Sequence, residues 1–540
     1  MLEIHSQASV YSAFKAVAEA HLERAYQLVV NETAERYGIA AGILTYADAL
    51  ARVEQLVERY GSAGVCSGHR VMLALDNRPE FFLQFFALNA LGAGVVPVNP
   101  DLRHAELTYM IGHAEPVLAV AVDDYVERLI EAAKAAEVVM PVIGCDEVIP
   151  ECRRAPPRDR AEPLRREAAM LYTSGTTGRP KGCVLSNLYF LHAGEWYRKT
   201  GGLCELRDGE RMITPLPLFH MNAMACSSMA MLSVGGCLTN LDRFHPSSWW
   251  DSVRESGATC LHYLGVMPSI LMAAQESPDD QAHQIRFGFG AGVVRELHAP
   301  FEARFGFPLV EAWAMTETGV GAVVCANRLP RKVGQSVLGR PEDDVEVRII
   351  TDEGHEAEPD EPGELLVRHG GEDPKFGFFT EYYRDPDATA AAWEGGWFHT
   401  GDVVKRDVDG DMVFVDRKKN VIRRSGENIA AVEVESVLMA HSAVNNVAVA
   451  AVPDEIRGDE VFACIVPAAE PSKELADEIV SWCLTQLAYY KAPAYVSFVD
   501  ALPLTSTQKI QRGELKALCA DKLTKGEFVD TSSHKVRQKS

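Results

Sequence analysis

The sequence lacks an excess of basic residues, paired cysteines and an export signal. Its 540 residues carry 53 Lys and Arg against 76 Asp and Glu, a formal net charge of −23. We expect no nucleic-acid partner, because no cationic excess is available to displace the counterions of a phosphate backbone. The twelve cysteines form no C-x-x-C pair and no zinc-like spacing, which predicts reduced core thiols. With no basic and apolar leader at the N-terminus, we expect a cytoplasmic protein.

Long apolar runs are also scarce. One uncharged window, Met212 to Leu241, is long enough to cross a bilayer. It contains two prolines, two asparagines, a histidine and several serines, which suit a buried core or a pocket wall better than hydrocarbon. The window therefore predicts soluble core and no membrane span.

Two different sequence patterns predict the domain organisation. Residues 40–120 and 210–325 alternate helical and strand patterns, which is typical of parallel sheets covered on both faces. After residue 330 the pattern becomes Gly-punctuated alternation, which predicts a small antiparallel β subdomain. The predicted fold is α/β, with an N-terminal domain (1–416), a hinge (417–420), a mobile small α+β C-terminal domain (421–529) and a disordered tail (530–540).

The segment from Tyr172 to Gly182 concentrates hydroxyls, three glycines and a lysine in one turn after an apolar strand. Glycines let backbone N–H groups approach an anion, and a lysine adds a point charge. The pattern predicts a polyphosphate cradle for ATP, although a flexible surface turn is the alternative. Gly182 follows Lys181, so the loop is not a Walker A motif. The residues assigned to the cradle are Thr173, Ser174, Gly175, Thr176, Thr177, Gly178 and Lys181.

Further motifs follow the cradle in a fixed order along the chain. They are Pro217–His220, Trp313–Gly319, Gly363–Leu365, Gly396–Asp402, Asp416–Lys419, Gly426–Ile429 and Pro503–Ile510. With these motifs the chain resembles the adenylate-forming superfamily of acyl-CoA synthetases, luciferases and peptide-synthetase adenylation domains. Phrases around Arg423 and Glu455 are most similar to the crotonobetaine/carnitine-CoA ligase branch.

The resemblance implies an AMP-forming acid–CoA ligase. A carboxylate and ATP would give acyl-AMP and pyrophosphate, and coenzyme A would then displace AMP. ATP, Mg²⁺ and coenzyme A are thus the implied cofactor and cosubstrates, a small-molecule carboxylic acid is the substrate, and a homodimer is common among similar enzymes. Adenylation with another acceptor (a carrier protein or oxygen) and a noncatalytic nucleotide-binding scaffold are the alternatives.

The resemblance also implies roles for individual residues. Lys509 would bridge carboxylate and phosphate, Lys181 would hold pyrophosphate, and His220 would line the channel between acid and thiol without acting as a base. Glu317, assisted by Thr173 or Thr176, would bind Mg²⁺, and Lys419 would be the hinge pivot. The other implied nucleotide and substrate contacts are Gly290, Ala291, Trp313, Met315, Thr316, Asp402 (ribose), Arg417 and Gly426. Gln508 departs from the glycine that usually precedes this lysine.

Several of these residues could instead have a purely structural role. Glu317 could instead be a carboxylate at a helix N-terminus, and Asp402 could stabilise a turn. Lys509 could be an ordinary surface lysine, and His220 could be a core residue whose hydrogen bonds are satisfied. The implied acyl pocket mixes apolar and polar residues, His220, Asn222, Met224, Phe289 to Gly292, Trp313 and Met315. It suits a small to medium, partly polar acid, carnitine- or crotonobetaine-like or a fatty acid.

Overall fold

The protein is described by a computed structural model that covers residues 6–156, 161–173, 180–351, 353–417, 421–503 and 510–536. Within these ranges the strands form three sheets. Two sheets belong to the N-terminal domain and the third to the C-terminal domain, as the sequence pattern predicts.

The first sheet has seven strands in the order β18-β8-β7-β4-β3-β5-β6. Strands β7, β4, β3, β5 and β6 run parallel, whereas β8 is antiparallel to both of its neighbours. Alternate residues of β3 belong to different cores: Val71 and Leu73 pack on one face, and Met72 and Ala74 on the other. Such alternation is expected of a strand covered on both faces. The strands are β3 (Arg70–Ala74), β4 (Gly94–Pro97), β5 (Leu118–Ala121), β6 (Val142–Ile143), β7 (Glu167–Thr173), β8 (Lys181–Ser186) and β18 (Glu381–Tyr382).

The second sheet joins a parallel half to an antiparallel half, in the order β16-β17-β19-β20-β15-β14-β13-β12-β11-β9-β10-β1-β2. The predicted antiparallel subdomain is therefore continuous with the parallel sheet through β14. Its strands are β1 (Ala25–Val29), β2 (Gly42–Thr45), β9 (Arg211–Thr214), β10 (Cys237–Asn240), β11 (Cys260–Leu264), β12 (Phe287–Ala291), β13 (Leu309–Trp313), β14 (Val324–Cys325), β15 (Val337–Pro341), β16 (Val345–Ile350), β17 (Gly363–His369), β19 (Phe398–Arg406) and β20 (Met412–Arg417).

Helices cover both sheets of the N-terminal domain. Helix α4 is buried along almost its whole length, because it is apolar all round and packs inside the main core. The helices are α1 (Val10–Ala20), α2 (Asn31–Tyr37), α3 (Tyr46–Ser62), α4 (Glu80–Ala90), α5 (His104–Ala114), α6 (Asp123–Ala135), α7 (Asn187–Thr200), α8 (Ser228–Ser233), α9 (Trp249–Ser256), α10 (Val266–Ala273), α11 (Arg295–Phe305) and α12 (Pro386–Ala392). A π-helical turn, Asn222–Ser227, precedes α8.

The C-terminal domain has its own mixed sheet, with a core on each face. Its strands are β21 (Val421–Arg424), β22 (Glu427–Ala430), β23 (Val444–Asp454), β24 (Gly458–Pro467), β25 (Tyr495–Phe498) and β26 (Val529–Asp530). Its helices are α13 (Ala431–Met439), α14 (Lys473–Gln486) and α15 (Arg512–Lys525).

The predicted disordered tail is wrong for residues 530–536. Strand β26 pairs with β25, the Thr531 N–H donates to the Ala494 carbonyl at 2.8 Å, and the Lys535 side chain is buried against Glu460. A polar composition did not reveal these partners, because they lie on distant parts of the chain. Residues 537–540 lie outside the described ranges.

The uncharged window from Met212 to Leu241 folds as β9, the π-helical turn, α8 and β10, and most of it is buried. None of the helices in the described ranges is both long and apolar enough to traverse a bilayer.

Candidate active site

The two ends of the predicted phosphate cradle lie opposite each other on one hairpin. Thr173 ends β7 and pairs in register with Lys181, which begins β8. The Lys181 ammonium lies 4.6 Å from the centre of the Tyr382 ring and 4.0 Å from Asp385 Oδ2. The hairpin therefore places one cation at the cavity wall. Ser174, Gly175, Thr176, Thr177 and Gly178 lie outside the described residues.

Glu317 lies beside this hairpin and is only 7% exposed. Its Oε1 atom accepts hydrogen bonds from the Tyr382 hydroxyl at 2.8 Å and the Thr173 hydroxyl at 3.4 Å. Mg²⁺ takes oxygen ligands and is commonly held by one or two carboxylates together with substrate phosphates. A carboxylate with a hydroxyl beside it, at the end of an anion cradle, fits that requirement.

Tyr382 is the residue that sequence reasoning missed. It belongs to the two-residue strand β18, which pairs with the edge of β8 and so brings the ring under Lys181 and the hydroxyl to Glu317. Burial, followed by the nearby Glu317 charge, raises the pKa of Tyr382 far above its usual value. It is therefore a neutral hydrogen-bond donor. The sequence signal was weak, a short aromatic run from Phe378 to Tyr383.

Asp402 is held in place by Trp313. The indole Nε1–H donates to Asp402 Oδ2 at 2.8 Å, and the Asp402 main-chain N–H donates to the Thr400 hydroxyl at 3.0 Å. Both Trp313 and Asp402 are buried, so the carboxylate has a fixed orientation at the cavity. An oriented carboxylate can accept the paired hydroxyls of a ribose. Trp313 thus supports Asp402, although it is not itself among the residues that line the cavity.

Strand β12 supplies the backbone wall of the cavity through Gly290 and Ala291. A Cβ atom on Gly290 would lie 2.2 Å from the Tyr263 carbonyl oxygen, so only glycine permits the observed strand packing. Met315 and Thr316 line the same cavity after β13, and the Thr316 carbonyl accepts the Tyr189 hydroxyl at 2.9 Å. These backbone segments and Asp402 line the same cavity.

The C-terminal domain closes one side of the cavity. Gly426 lines it with φ near +91°, and a Cβ atom there would lie 2.2 Å from Leu264 Cδ1. The next residue, Glu427, brings Oε2 to 3.5 Å from His220 Nε2. His220 lines the cavity and packs against the Phe219 ring at 4.6 Å. In the described structure the Gly426 loop therefore lies at the cavity, next to the predicted thiol channel.

The cavity has a volume of about 260 Å³ and gathers most of the predicted site residues. Those that line it are Thr173, Lys181, His220, Gly290, Ala291, Met315, Thr316, Glu317, Asp402 and Gly426. The main chain of Arg417 pairs with Asp402 across β19 and β20. Lys419 and Lys509 lie outside the described residues, so their roles stay predictions.

A larger cleft of about 1430 Å³ adjoins this cavity between the two domains. Pro217 lines both spaces, and the consecutive residues Gly426 and Glu427 line the cavity and the cleft respectively. The cleft wall carries arginines such as Arg78 and Arg243 together with several aspartates. A long, thin cosubstrate could thus reach the cavity from the domain boundary.

The geometry agrees with the family comparisons. The AMP-binding enzyme model matches residues 25–372, and the AMP-binding enzyme C-terminal domain model matches residues 433–509. This chain belongs to the AMP-binding enzyme family. As a member it is an AMP-forming acid–thiol ligase, and the predicted resemblance and fold class are confirmed.

Relatives and solved structures cover nearly the whole chain. A crotonobetaine/carnitine–CoA ligase of Proteus mirabilis is 30% identical over 490 residues, which span 87% of this chain and 93% of the relative. A malonyl-CoA ligase structure is 28% identical, with a TM-score of 0.69 over 85% of this chain and 95% of that one. The o-succinylbenzoate CoA synthetase of Bacillus subtilis has a TM-score of 0.78 at 24% identity, over 94% and 98% of the two chains, and shares the fold.

Proposed function

We propose that this protein is an AMP-forming acid–CoA ligase that acts on a small to medium, partly polar carboxylic acid. The observation that carries the proposal is the convergence of Lys181, Glu317, Asp402 and Gly426, from four separate segments, on one cavity. Crotonobetaine and carnitine, named for the relatives at about 30% identity, belong to this class of small, polar acids. Fatty acids are the less polar members of the range.

In the first half-reaction a carboxylate oxygen of the acid attacks the α-phosphorus of ATP. The bond from that phosphorus to the bridging oxygen breaks, and pyrophosphate leaves with the electron pair. Lys181 offsets the negative charge that collects on the departing group, since a fixed cation in a closed site is a large electrostatic term. Asp402 orients the nucleotide through its ribose. Lys509, outside the described residues, is the proposed cation between carboxylate and α-phosphate.

Glu317 is the proposed ligand of Mg²⁺, with Thr173 beside it. When bound, the ion would offset charge on the phosphate oxygens and orient them. Tyr382 orients the Glu317 carboxylate by donating to Oε1. A carboxylate fixed in this way keeps a constant orientation, so its remaining lone pairs are available to a cation in the cavity.

In the second half-reaction the sulfur of coenzyme A attacks the acyl carbon, the bond from that carbon to the AMP oxygen breaks, and AMP leaves. The thiol proton passes to solvent. The proposed path for the pantetheine arm runs from the interdomain cleft past Pro217 to the junction of His220 and Glu427. Lys419 is the proposed pivot for a domain rotation between the half-reactions. Substitution of Lys419 by proline should then impair at least one of them.

The proposed setting is the cytoplasm, where ATP and coenzyme A are present, and all twelve cysteines are unpaired thiols in the structure. A homodimer is the proposed assembly. Sedimentation velocity of the purified protein measures it directly.

The deciding experiment is pyrophosphate release over a panel of carboxylic acids, with and without coenzyme A, with acyl-CoA detected by mass spectrometry. We expect release with at least one acid and a thioester only when coenzyme A is present. Glu317→Gln should abolish release, whereas Lys375→Gln should not, because the Lys375 ammonium packs on Trp393 and does not itself line the cavity. Release without a thioester would point to another acceptor, and no release with any acid would contradict the proposal.

A further inference from the structure

A buried hydrogen-bond chain lies behind the acyl end of the cavity. His262, at the centre of β11, has no exposed surface. Its Nδ1 atom is 2.7 Å from Ser227 Oγ and 2.7 Å from Asn222 Oδ1, and its Nε2 atom is 3.0 Å from the Tyr197 hydroxyl. Ser227 and Asn222 are the two ends of the π-helical turn. The turn therefore presents two polar groups to one face of the imidazole.

The partners determine where the protons lie. Asn222 Oδ1 can only accept, so His262 Nδ1 carries the hydrogen. Ser227 Oγ donates to the Asn222 main-chain oxygen at 3.1 Å and accepts from the ring, and Nε2 accepts from the Tyr197 hydroxyl. Burial lowers the pKa of His262 to about 3, so the imidazole is neutral and has a single N–H.

In this arrangement the Asn222 amide oxygen accepts a hydrogen bond from His262, whereas the amide nitrogen takes no part. Asn222 lines the cavity, and its Nδ2 atom has no hydrogen-bond partner among the described residues. Trp196 lines the same cavity, and its buried Nε1–H likewise has no partner in the described ranges. The neighbouring walls are Cys226 and Phe289. The acyl end thus offers the Asn222 amide as a neutral donor in apolar surroundings, with the Trp196 N–H buried in the same wall.

The same cavity wall also carries the charged residues Lys181, Glu317, Asp402 and Arg423. Lys181 packs on Tyr382 beside Glu317, and Arg423 belongs to the C-terminal domain. At the Asn222 amide itself, a carboxylate would meet a neutral donor, and a quaternary ammonium would meet the positive end of an N–H dipole. A neutral oxygen acceptor fits the donors best, because an uncharged partner carries the smallest desolvation cost.

We propose that Asn222 is a specificity-determining residue, whose amide N–H groups bind an uncharged oxygen on the chain of the acid. This inference rests on the proposed acid–CoA ligase function and narrows its substrate class to carboxylic acids with a hydroxyl, keto, ether or amide oxygen. Ser227 and His262 are positioning residues, since they orient the amide without facing the substrate themselves.

The test compares matched acids with and without the oxygen. Suitable pairs are 3-hydroxybutanoate and butanoate, 4-oxopentanoate and pentanoate, and carnitine and 4-trimethylammoniobutanoate. For each acid, kcat/KM is measured by pyrophosphate release for the native enzyme, for Asn222→Leu and for Cys226→Ala. Leucine has a similar branched shape and leaves the Ser227–His262–Tyr197 hydrogen bonds in place, whereas Cys226→Ala alters the same wall without removing an N–H donor.

We expect the native enzyme to favour the oxygenated acid of at least one pair. Asn222→Leu should lower kcat/KM for that acid by about 10- to 100-fold and leave its partner within about threefold. Cys226→Ala should keep the native preference. An equal loss for both members of the pair, or a native enzyme without any preference, would overturn the inference while leaving the ligase function standing. Failure of every acid to release pyrophosphate would overturn the ligase function and the inference together.

Discussion

An ion cluster that joins the two domains can be weakened at one carboxylate. The Lys491 ammonium lies 2.5 Å from Glu106 Oε1 on α5 of the N-terminal domain and 2.8 Å from Glu433 Oε1 on α13 of the C-terminal domain. Glu106 Oε2 also accepts the Ala488 N–H at 3.0 Å. All three charged side chains are buried. We expect Glu106 to hold the orientation in which Gly426 lines the cavity, and Glu106→Gln to loosen it.

The charges set the size of the effect. Removing Lys491 would leave two buried carboxylates facing each other, at a cost of about 3–5 kcal/mol in stability. Glu106→Gln instead leaves a balanced Lys491–Glu433 pair, so the free energy of unfolding should fall by only about 1 kcal/mol. The charged hydrogen bond between Lys491 and Glu106 crosses the domain boundary. It stabilises the orientation in which Gly426 lines the cavity by about 1.5–3 kcal/mol. Thioester formation should therefore slow by roughly 10- to 100-fold if it needs this orientation.

The assay separates the half-reactions. Preformed acyl-AMP and coenzyme A are mixed with the enzyme in a single turnover, and adenylation is measured separately by pyrophosphate release. Arg512→Gln is the matched control, because Arg512 and Glu435 form an ion pair of 2.5 Å wholly inside the C-terminal domain. We expect Glu106→Gln to slow thioester formation alone. Equal slowing of both half-reactions, or the same defect in Arg512→Gln, would refute the reasoning.

Three further predictions concern single side chains. Lys181→Ala should slow adenylation by about 100-fold while thioester formation from acyl-AMP persists, and an equal loss in both would contradict the pyrophosphate role. Tyr382→Phe removes the 2.8 Å donor to Glu317, so a Mg²⁺ titration of adenylation should shift its midpoint upward by about 10-fold, and an unchanged midpoint would exclude an orienting role. Burial and the nearby Arg424 charge lower the pKa of Lys535 from 10.5 to about 7. Between these two pH values the unfolded state binds more protons than the folded state. The free energy of unfolding should therefore rise by about 2 kcal/mol from pH 7 to pH 9. Urea unfolding of Lys535→Met should show no such rise, and an identical rise in this variant would rule out Lys535 as its source.

Local patterns in the sequence were sufficient to predict the sheets, and the ordered motifs supplied the candidate site residues. Short apolar runs such as Arg70–Leu75 predict β3, β11 and β12, because this pattern depends on neighbouring residues only. Thr173, Glu317 and Asp402 lie in ordered motifs, so the resemblance could assign them. The predicted doubly covered sheet follows from the same local signals.

The remaining features depend on distant partners. Tyr382 reaches Glu317 only because β18 adds to the edge of β8, and a two-residue strand has no periodicity to read. The order of residues 530–536 depends on β25 and on Glu460, far back along the chain. The orientation of Asn222 requires the spatial position of His262, forty residues away. Tertiary contacts of this kind leave no local signal in a single sequence.

The close approach of Gly426 to Leu264 links the backbone of the C-terminal loop to the cavity. A Cβ atom at position 426 would lie 2.2 Å from Leu264 Cδ1, and φ near +91° would strain any residue with a side chain. The positive φ therefore favours glycine at this point of the C-terminal loop, and a Cβ atom would in addition require Leu264 to shift. Because Gly426 and Glu427 lie where the cavity meets the interdomain cleft, a bulkier residue would crowd the proposed path of the pantetheine arm. Glycine in this motif thus suits both the backbone angle and the approach of the two domains. The glycine itself is visible in the sequence, whereas the contact with Leu264 becomes visible only in the structure.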